Sequence, residues 1–181
     1  MWIGGFGWPD LLAIAAMLVI YPFGEWAIHV YLLHSKVNLA STRSHMQHHA
    51  DPYNLNLINF GPLEALAILF LAAPFSVAIS AAIVAPLPGA LPVGPFVTEL
   101  AVAYLLIAFY EWIHFLIHTS HVPRSRYYKR VWRNHRLHHF KNEHYWHGIT
   151  NTISDTVLRT NPDQKKIAKS GTARSLHGGG V

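Results

Sequence analysis

Three apolar stretches, Leu11 to Leu33, Leu63 to Ala85 and Phe96 to Ile117, limit what this chain can fold into more than any other feature. Each supplies the roughly 20 apolar residues that a helix needs to cross a hydrocarbon core of about 30 Å. Backbone N–H and C=O groups at that depth must be satisfied within the segment, so the stretches are expected to be helices. Composition agrees, because 51% hydrophobic and 13% charged residues are far from the balance of an ordinary soluble domain. The length of 181 residues suits one domain. No Lys or Arg precedes the first stretch, which runs straight into Glu25, His29 and His34, so it is expected to stay in the mature protein rather than serve as a cleaved signal. Pro74 predicts a kink in the second stretch.

The charges are informative through their placement. All 14 Lys and Arg residues follow either the first stretch, as Lys36 and Arg43, or the third, from Arg124 onward. The amino-terminal segment, with Trp2 and Trp8 suited to a membrane interface, has none, and neither does the Pro/Gly-rich turn from Pro86 to Pro95. The positive-inside rule therefore places Ser35 to Gly61 and the carboxy-terminal region on the cytoplasmic side. A bacterial inner membrane and the endoplasmic reticulum fit this expectation equally.

Every histidine group falls on that same side. His135, His138 and His139 in NHRLHHF lie three and four residues apart and so share one helix face. SHMQHHA repeats the pattern with His45, His48 and His49, and the pairs His29 with His34 and His114 with His118 precede the two triplets. Ten imidazoles in four spaced groups predict a metal site. Ten are too many for one tetrahedral or octahedral ion, and two ions with about five ligands each is the natural arithmetic. With no cysteine in the chain, thiolate and Fe–S chemistry is excluded, and nitrogen and oxygen ligands must hold any metal. The fold class expected is thus an all-α integral membrane protein, with about three transmembrane helices and a cytoplasmic histidine-rich helical cap holding a dinuclear site.

His29 and His34 are about 140° apart on a regular helix, so the helix must loosen there or one side chain must reach around. Glu25, one turn before His29, is placed to accept its second ring N–H, as carboxylates that orient metal ligands do. Glu111 stands similarly, three residues before His114, because Glu-Trp precedes a histidine pair in both halves of the chain. Asp51-Pro52 should stop a short helix carrying the first triplet. The segment from Arg124 predicts an amphipathic helix, with Tyr128, Val131 and the triplet on one side and Arg126, Lys129, Arg130 and Arg133 on the other. That basic face suits anionic headgroups or an acidic partner, or simply ends membrane transfer. His121 shares the face of His114 and His118 if their helix persists, while His144 and His147 add imidazoles beside the second triplet. The membrane-embedded domain is expected over residues 1–161, followed by a polar, disordered tail, 162–181, in which His177 has no role.

The order H-x4-H, H-x2-H-H, H-x3-H, H-x2-H-H, with GIT-x3-SD after HHFKN, resembles the fatty acid hydroxylase superfamily, also called the sterol desaturase family, over roughly Gly24 to Thr160. The resemblance implies a membrane-bound non-haem di-iron centre that uses O2 and two electrons to hydroxylate or desaturate a lipid C–H bond. Carried over, it makes ligands of His29, His34, His45, His48, His49, His114, His118, His135, His138 and His139. The x3 spacing of His114 and His118 looks like the fatty acid and sphingolipid 2-hydroxylases, whereas sterol and carotenoid enzymes are the alternative within the superfamily. Those 2-hydroxylases usually have two spans before the first histidine pair, where this sequence shows one. With no cytochrome b5 domain and no Gly-rich dinucleotide fingerprint in these 181 residues, electrons are expected from a separate donor such as cytochrome b5 or a ferredoxin with its reductase. Zinc can replace iron in purified protein of this kind. The partners expected are a lipid substrate and the membrane, with no nucleic acid.

An oxidant able to break a C–H bond must be shielded from water, which predicts an apolar cavity entered from the bilayer. Tyr110, Trp112 and Phe115 are expected to guide the lipid, with Tyr145 and Trp146 closing the cavity above. The rival from another class is a histidine-rich metal ion transporter. Transport sites tend to lie at mid-membrane on broken helices, however, and these histidines cluster at helix ends.

Overall fold

The computed structural model describes residues 6–174. Trp2 and His177 lie outside that range. The described chain is all-helical, with no strand. Helix α1 spans Trp8–Ala27 and passes directly into a π-helical segment, Ile28–Leu33. Then follow α2 (Ala40–Ala50), a short turn of 3₁₀ helix (Leu55–Leu57), α3 (Pro62–Val84), α4 (Val93–His118), α5 (Arg126–Phe140), α6 (Ile153–Val157) and a last 3₁₀ turn, Gln164–Lys166. Three helical spans, Trp8–Leu33, Leu55–Val84 and Val93–His118, are long and apolar enough to cross a membrane. They match the three expected stretches; the first and third begin three residues earlier and the second eight residues earlier than expected.

Two compact units divide the described chain, each discontinuous in sequence. One runs to Tyr21 and resumes over Gly61–Ala108. Its helices carry few polar groups, and several of them are hydrogen-bonded. Ser80 donates to Glu99 at 3.0 Å, Thr98 donates to Asp10 at 2.7 Å, and the Tyr21 hydroxyl reaches the Leu106 carbonyl at 3.4 Å. Its outer surface is apolar, with Leu63 and Phe70 each 81% exposed, which is the reverse of a water-soluble helix and suits lipid contact. At the start of α3, Pro62 needs no N–H partner, and Glu64 folds back to accept the Gly61 N–H at 2.7 Å. Pro74 lies inside α3, which remains helical on both sides of it.

The other unit comprises Pro22–Phe60 and the chain from Phe109 onward, and it contains every histidine of the described chain. Its apolar core joins the end of α4 to α5 and the loop beyond, through Tyr110, Ile113, Ile117, Tyr128, Val131 and Ile149. The expected stops are all visible. Helix α2 ends at Ala50 before Asp51-Pro52. Helix α5 begins where Ser125 accepts the Tyr128 N–H at 3.0 Å, and it buries Tyr128, Val131, His135, His138 and His139 as its amphipathic pattern predicts.

Beyond residue 161 the described chain returns to the end of α5. Ser170 N–H binds the Lys141 carbonyl at 2.9 Å, Arg174 N–H binds that of His139 at 3.4 Å, and the Ser170 and Thr172 hydroxyls donate to Glu143. The orphan carbonyls at the end of α5 offer hydrogen bonds that a polar segment can take without an apolar core.

Candidate metal centre

All ten predicted histidines converge, and they do so as two groups of five. One group is His29, His34, His45, His49 and His138; the other is His48, His114, His118, His135 and His139, and within each group the ligand atoms lie within 4.8 Å of one another. The partition crosses the sequence motifs. Each triplet contributes its first and third histidine, one helical turn apart, to the group of its own half, and its middle histidine to the other group. His48 and His138 are therefore exchanged between halves. The groups adjoin, with the rings of His49 and His139 stacked at 4.1 Å between centroids.

The x4 spacing of the first pair is accommodated by the π-helical segment. The His34 N–H binds the His29 carbonyl, five residues back, at 3.1 Å. This wider turn brings residues five apart onto one side, as an ordinary α-helical turn does for His114 and His118.

The nitrogens are arranged as ligands rather than as a hydrogen-bonded core. In the first group, the Nε2 atoms form a closed quadrilateral. His34 to His45 is 3.0 Å, His45 to His49 is 3.1 Å, His49 to His138 is 3.2 Å and His138 to His34 is 3.0 Å. An imidazole–metal bond of about 2.1 Å places neighbouring nitrogens of a right-angled shell about 3.0 Å apart, against about 3.4 Å in a tetrahedral one. Hydrogen bonding cannot account for the whole ring, because an Nε2 offers either one proton or one lone pair. His29 Nε2 is buried with no hydrogen-bond partner. The second group repeats the spacing, with His135 Nε2 3.0 Å from both His118 and His139 Nε2, and both ring nitrogens of His48 and of His114 buried without partners. Five neutral nitrogen donors per group fit a divalent transition ion and would leave one position of an octahedral shell open.

Backbone carbonyls orient the rings. His29 Nδ1 lies 2.6 Å from the His147 carbonyl and His138 Nδ1 lies 2.8 Å from that of Tyr145. A carbonyl only accepts, so each Nδ1 carries the proton and each Nε2 presents its lone pair to the group. His118 is likewise hydrogen-bonded to the backbone of Pro52.

Glu25 plays a different part from the one expected. It accepts from Ile149 N–H at 2.6 Å, Thr150 N–H at 3.0 Å and the Thr150 hydroxyl, and so fixes the loop whose His147 carbonyl binds His29. The His147 carbonyl takes the second ring N–H of His29 in its place. Glu111 accepts the Phe60 N–H at 3.0 Å, which extends the internal echo to a second carboxylate that anchors a distant loop.

The remaining candidates separate clearly. His121 falls after the end of α4, is exposed and packs its ring against Tyr128, while His144 is exposed beside Glu143 at 3.8 Å. His147 is buried next to the first group and contributes its carbonyl. Tyr110 is buried with its ring 5.6 Å from those of His114 and Phe60, Phe115 and Tyr145 are half-buried, and Trp112 is exposed. Trp146 is buried but lines a polar cleft formed with Arg130, Arg133 and Leu137 of α5. Its positive φ of 58° turns the chain there, so its neighbours are not the apolar ones expected.

Sequence reasoning gave no role to Asp155, the last residue of GIT-x3-SD. It is fully buried and accepts from His147 N–H at 3.0 Å, Gly148 N–H at 2.8 Å, Asn134 Nδ2 at 2.9 Å and the Thr160 hydroxyl at 2.6 Å. Gly148 is required in that turn, since a Cβ there would meet the Asn151 carbonyl oxygen at 2.0 Å. The signal was present in the motif, but a lone Ser-Asp pair does not say which donors it faces.

Burial sets the protonation of the group. Desolvation, then neighbouring imidazoles, holds His45, His49, His135, His138 and His139 well below the ordinary value of 6.5; His34 is lowered to about 4 and His48 to about 2. The unfolded chain therefore binds protons first as pH falls, so stability is full above about 6.5 and drains away below it. Metal binding has the same sign, because the ligands must be neutral. Metal-free protein is thus expected to melt at a markedly lower temperature at pH 5 than at pH 7.5. A melting temperature that is flat or rises on acidification would contradict this.

Two nitrogen-only groups that could each hold a metal ion, near the ends of helices long and apolar enough to cross a membrane, define the class to which the chain is compared. This chain belongs to the fatty acid hydroxylase family, which it matches over residues 14–160. The structure is similar to that of full-length Scs7p, in which only the hydroxylase domain is visible, with a TM-score of 0.63 at 19% identity. The match covers 89% of this chain and 59% of that one, and at such identity it concerns the fold alone. No curated protein matches the chain by sequence.

Proposed function

We propose that the chain is a membrane-bound lipid hydroxylase whose two groups of five histidines each hold an iron ion. The observation that carries the reading is the pair of adjacent nitrogen pentads, in a chain of the fatty acid hydroxylase family. What an iron pair supplies when bound is activation of O2 with two external electrons, so that one oxygen atom enters a C–H bond and the other leaves as water. The chain's own residues do the rest. His29 and His138 are held as Nε2 donors by the 145–147 backbone, and burial keeps the imidazoles of α2 and α5 neutral at physiological pH. Tyr110 and Phe60, stacked beside His114, offer an apolar wall against which an acyl chain can lie with water excluded.

The substrate we favour is a fatty acyl chain or sphingolipid, on the x3 spacing of His114 and His118. The histidines face the cytoplasm on this reading, as the distribution of Lys and Arg supports. Electrons come from a separate protein such as cytochrome b5 or a ferredoxin with its reductase. Lipid mass spectrometry of cells expressing the protein, against a His138→Ala control, tests the reaction. Hydroxylation yields a lipid heavier by one oxygen atom, and desaturation one lighter by two hydrogens. A lipid profile unchanged from the control, with both ions present, would overturn the reading.

A further inference from the structure

The side of α5 away from the metal groups carries a second stripe. Arg130, Arg133 and Leu137 recur at helical spacing, roughly opposite His135, His138 and His139, with the buried Asn134 at the edge of the stripe. They form one wall of a cleft of about 380 Å³, with Trp146, Thr152, Thr156 and the segment 161–164 forming the rest. Its far wall is preassembled, because the Thr156 hydroxyl donates to the Thr152 carbonyl at 2.8 Å and accepts from Asn161 Nδ2 at 2.9 Å. Arg130 and Arg133 have no ion-pair partner among the described residues. The cleft's one carboxylate, Asp163, already accepts the Lys165 N–H at 3.0 Å. Two guanidiniums one turn apart repel each other unless an anion lies between them.

From this cleft we infer a binding site for a phosphate ester, held between the Arg130 and Arg133 guanidiniums and packed on Trp146. The volume suits a small ligand or a lipid headgroup, and paired guanidinium forks match the oxygens of a phosphate. The site stands apart from the histidine groups but touches what orients them. Trp146 has a φ of 58° and its N–H binds the Thr160 carbonyl at 2.7 Å, while the carbonyls of its two neighbours hold His138 and His29. A ligand seated on Trp146 stabilises that turn. Only this coupling rests on the metal reading; the phosphate site does not.

The test is titration calorimetry on the purified full chain in an uncharged detergent, with glycerol 3-phosphate and a short-chain phosphatidylglycerol as probes. The Arg130→Gln/Arg133→Gln double variant alters exposed side chains and is expected to fold normally. It should lose at least ~10-fold in affinity, whereas Arg126→Gln/Lys129→Gln, on the same helix but outside the cleft, should bind as before. Binding of both probes with that pattern indicates a site satisfied by a soluble phosphate ester, and binding of the phospholipid alone a headgroup site. The proposal is overturned if neither probe binds, or if both double variants weaken binding equally, since diffuse positive charge would then explain it.

Discussion

Replacing His48 by alanine is expected to empty the metal position built from His114, His118, His135 and His139, and to leave the one formed by its own helix neighbours His45 and His49 occupied. The crossed partition of the triplets dictates this outcome. Both ring nitrogens of His48 are buried without hydrogen-bond partners, and its ring lies 4.5 Å from that of His118 and 4.6 Å from that of His139. Loss of a group that merely orients a ligand lowers metal affinity by about 10–100-fold, so losing a ligand should cost at least ~100-fold. Elemental analysis should fall from two ions per chain to one, with product formation lost. His138→Ala should show the mirror image, emptying the position of His29, His34, His45 and His49. Anomalous scattering at the metal edge distinguishes the two, and an empty site beside His45 and His49 in the His48 variant would refute the crossing.

The second large effect is expected at Asp155, although it touches no ligand nitrogen. Alanine there leaves the N–H groups of His147 and Gly148 and the Asn134 amide without their buried acceptor. Each unsatisfied buried donor costs about 1–3 kcal/mol, so the total should exceed about 3 kcal/mol. The damage should reach the metal through the His147 carbonyl, which fixes the His29 ring. Asp155→Ala is therefore expected to lower the melting temperature of the metal-free chain and to weaken metal retention at the first group more than at the second. Equal loss from both groups would point to general unfolding rather than to a lost support for His29.

Much of the architecture was legible because its signals are local. A run of apolar residues long enough for a bilayer has few alternatives to a helix, and imidazoles three and four residues apart on α2 and α5 share a face whatever surrounds them. The misfit at His29 and His34 was legible too, since five residues do not close an α-helical turn. What relieved it, a π-helical segment with a hydrogen bond from His34 back to His29, is a choice of backbone that residue spacing poses but does not make.

Other features have no local signal. The hydrogen bonds of Ser170 and Arg174 N–H to carbonyls at the end of α5 follow from no pattern of residues along the chain. Glu25 sits one turn from His29 in sequence, but its partners, Ile149 and Thr150, come from the far end of the chain.

Sequence by itself determined the number of long apolar stretches, the ten histidines, the exclusion of sulfur ligands and the arithmetic of two groups of about five nitrogens. Only the tertiary structure decided which five belong together. Within either triplet the middle histidine looks equivalent to its neighbours, since all three share one face, and spacing cannot tell a ligand of the near ion from a ligand of the far one. The difference arises when α2 and α5 bring their faces together: the first and third rings of each triplet, one turn apart, close on the histidines of their own half, and the remaining ring, offset around the helix, can reach only across.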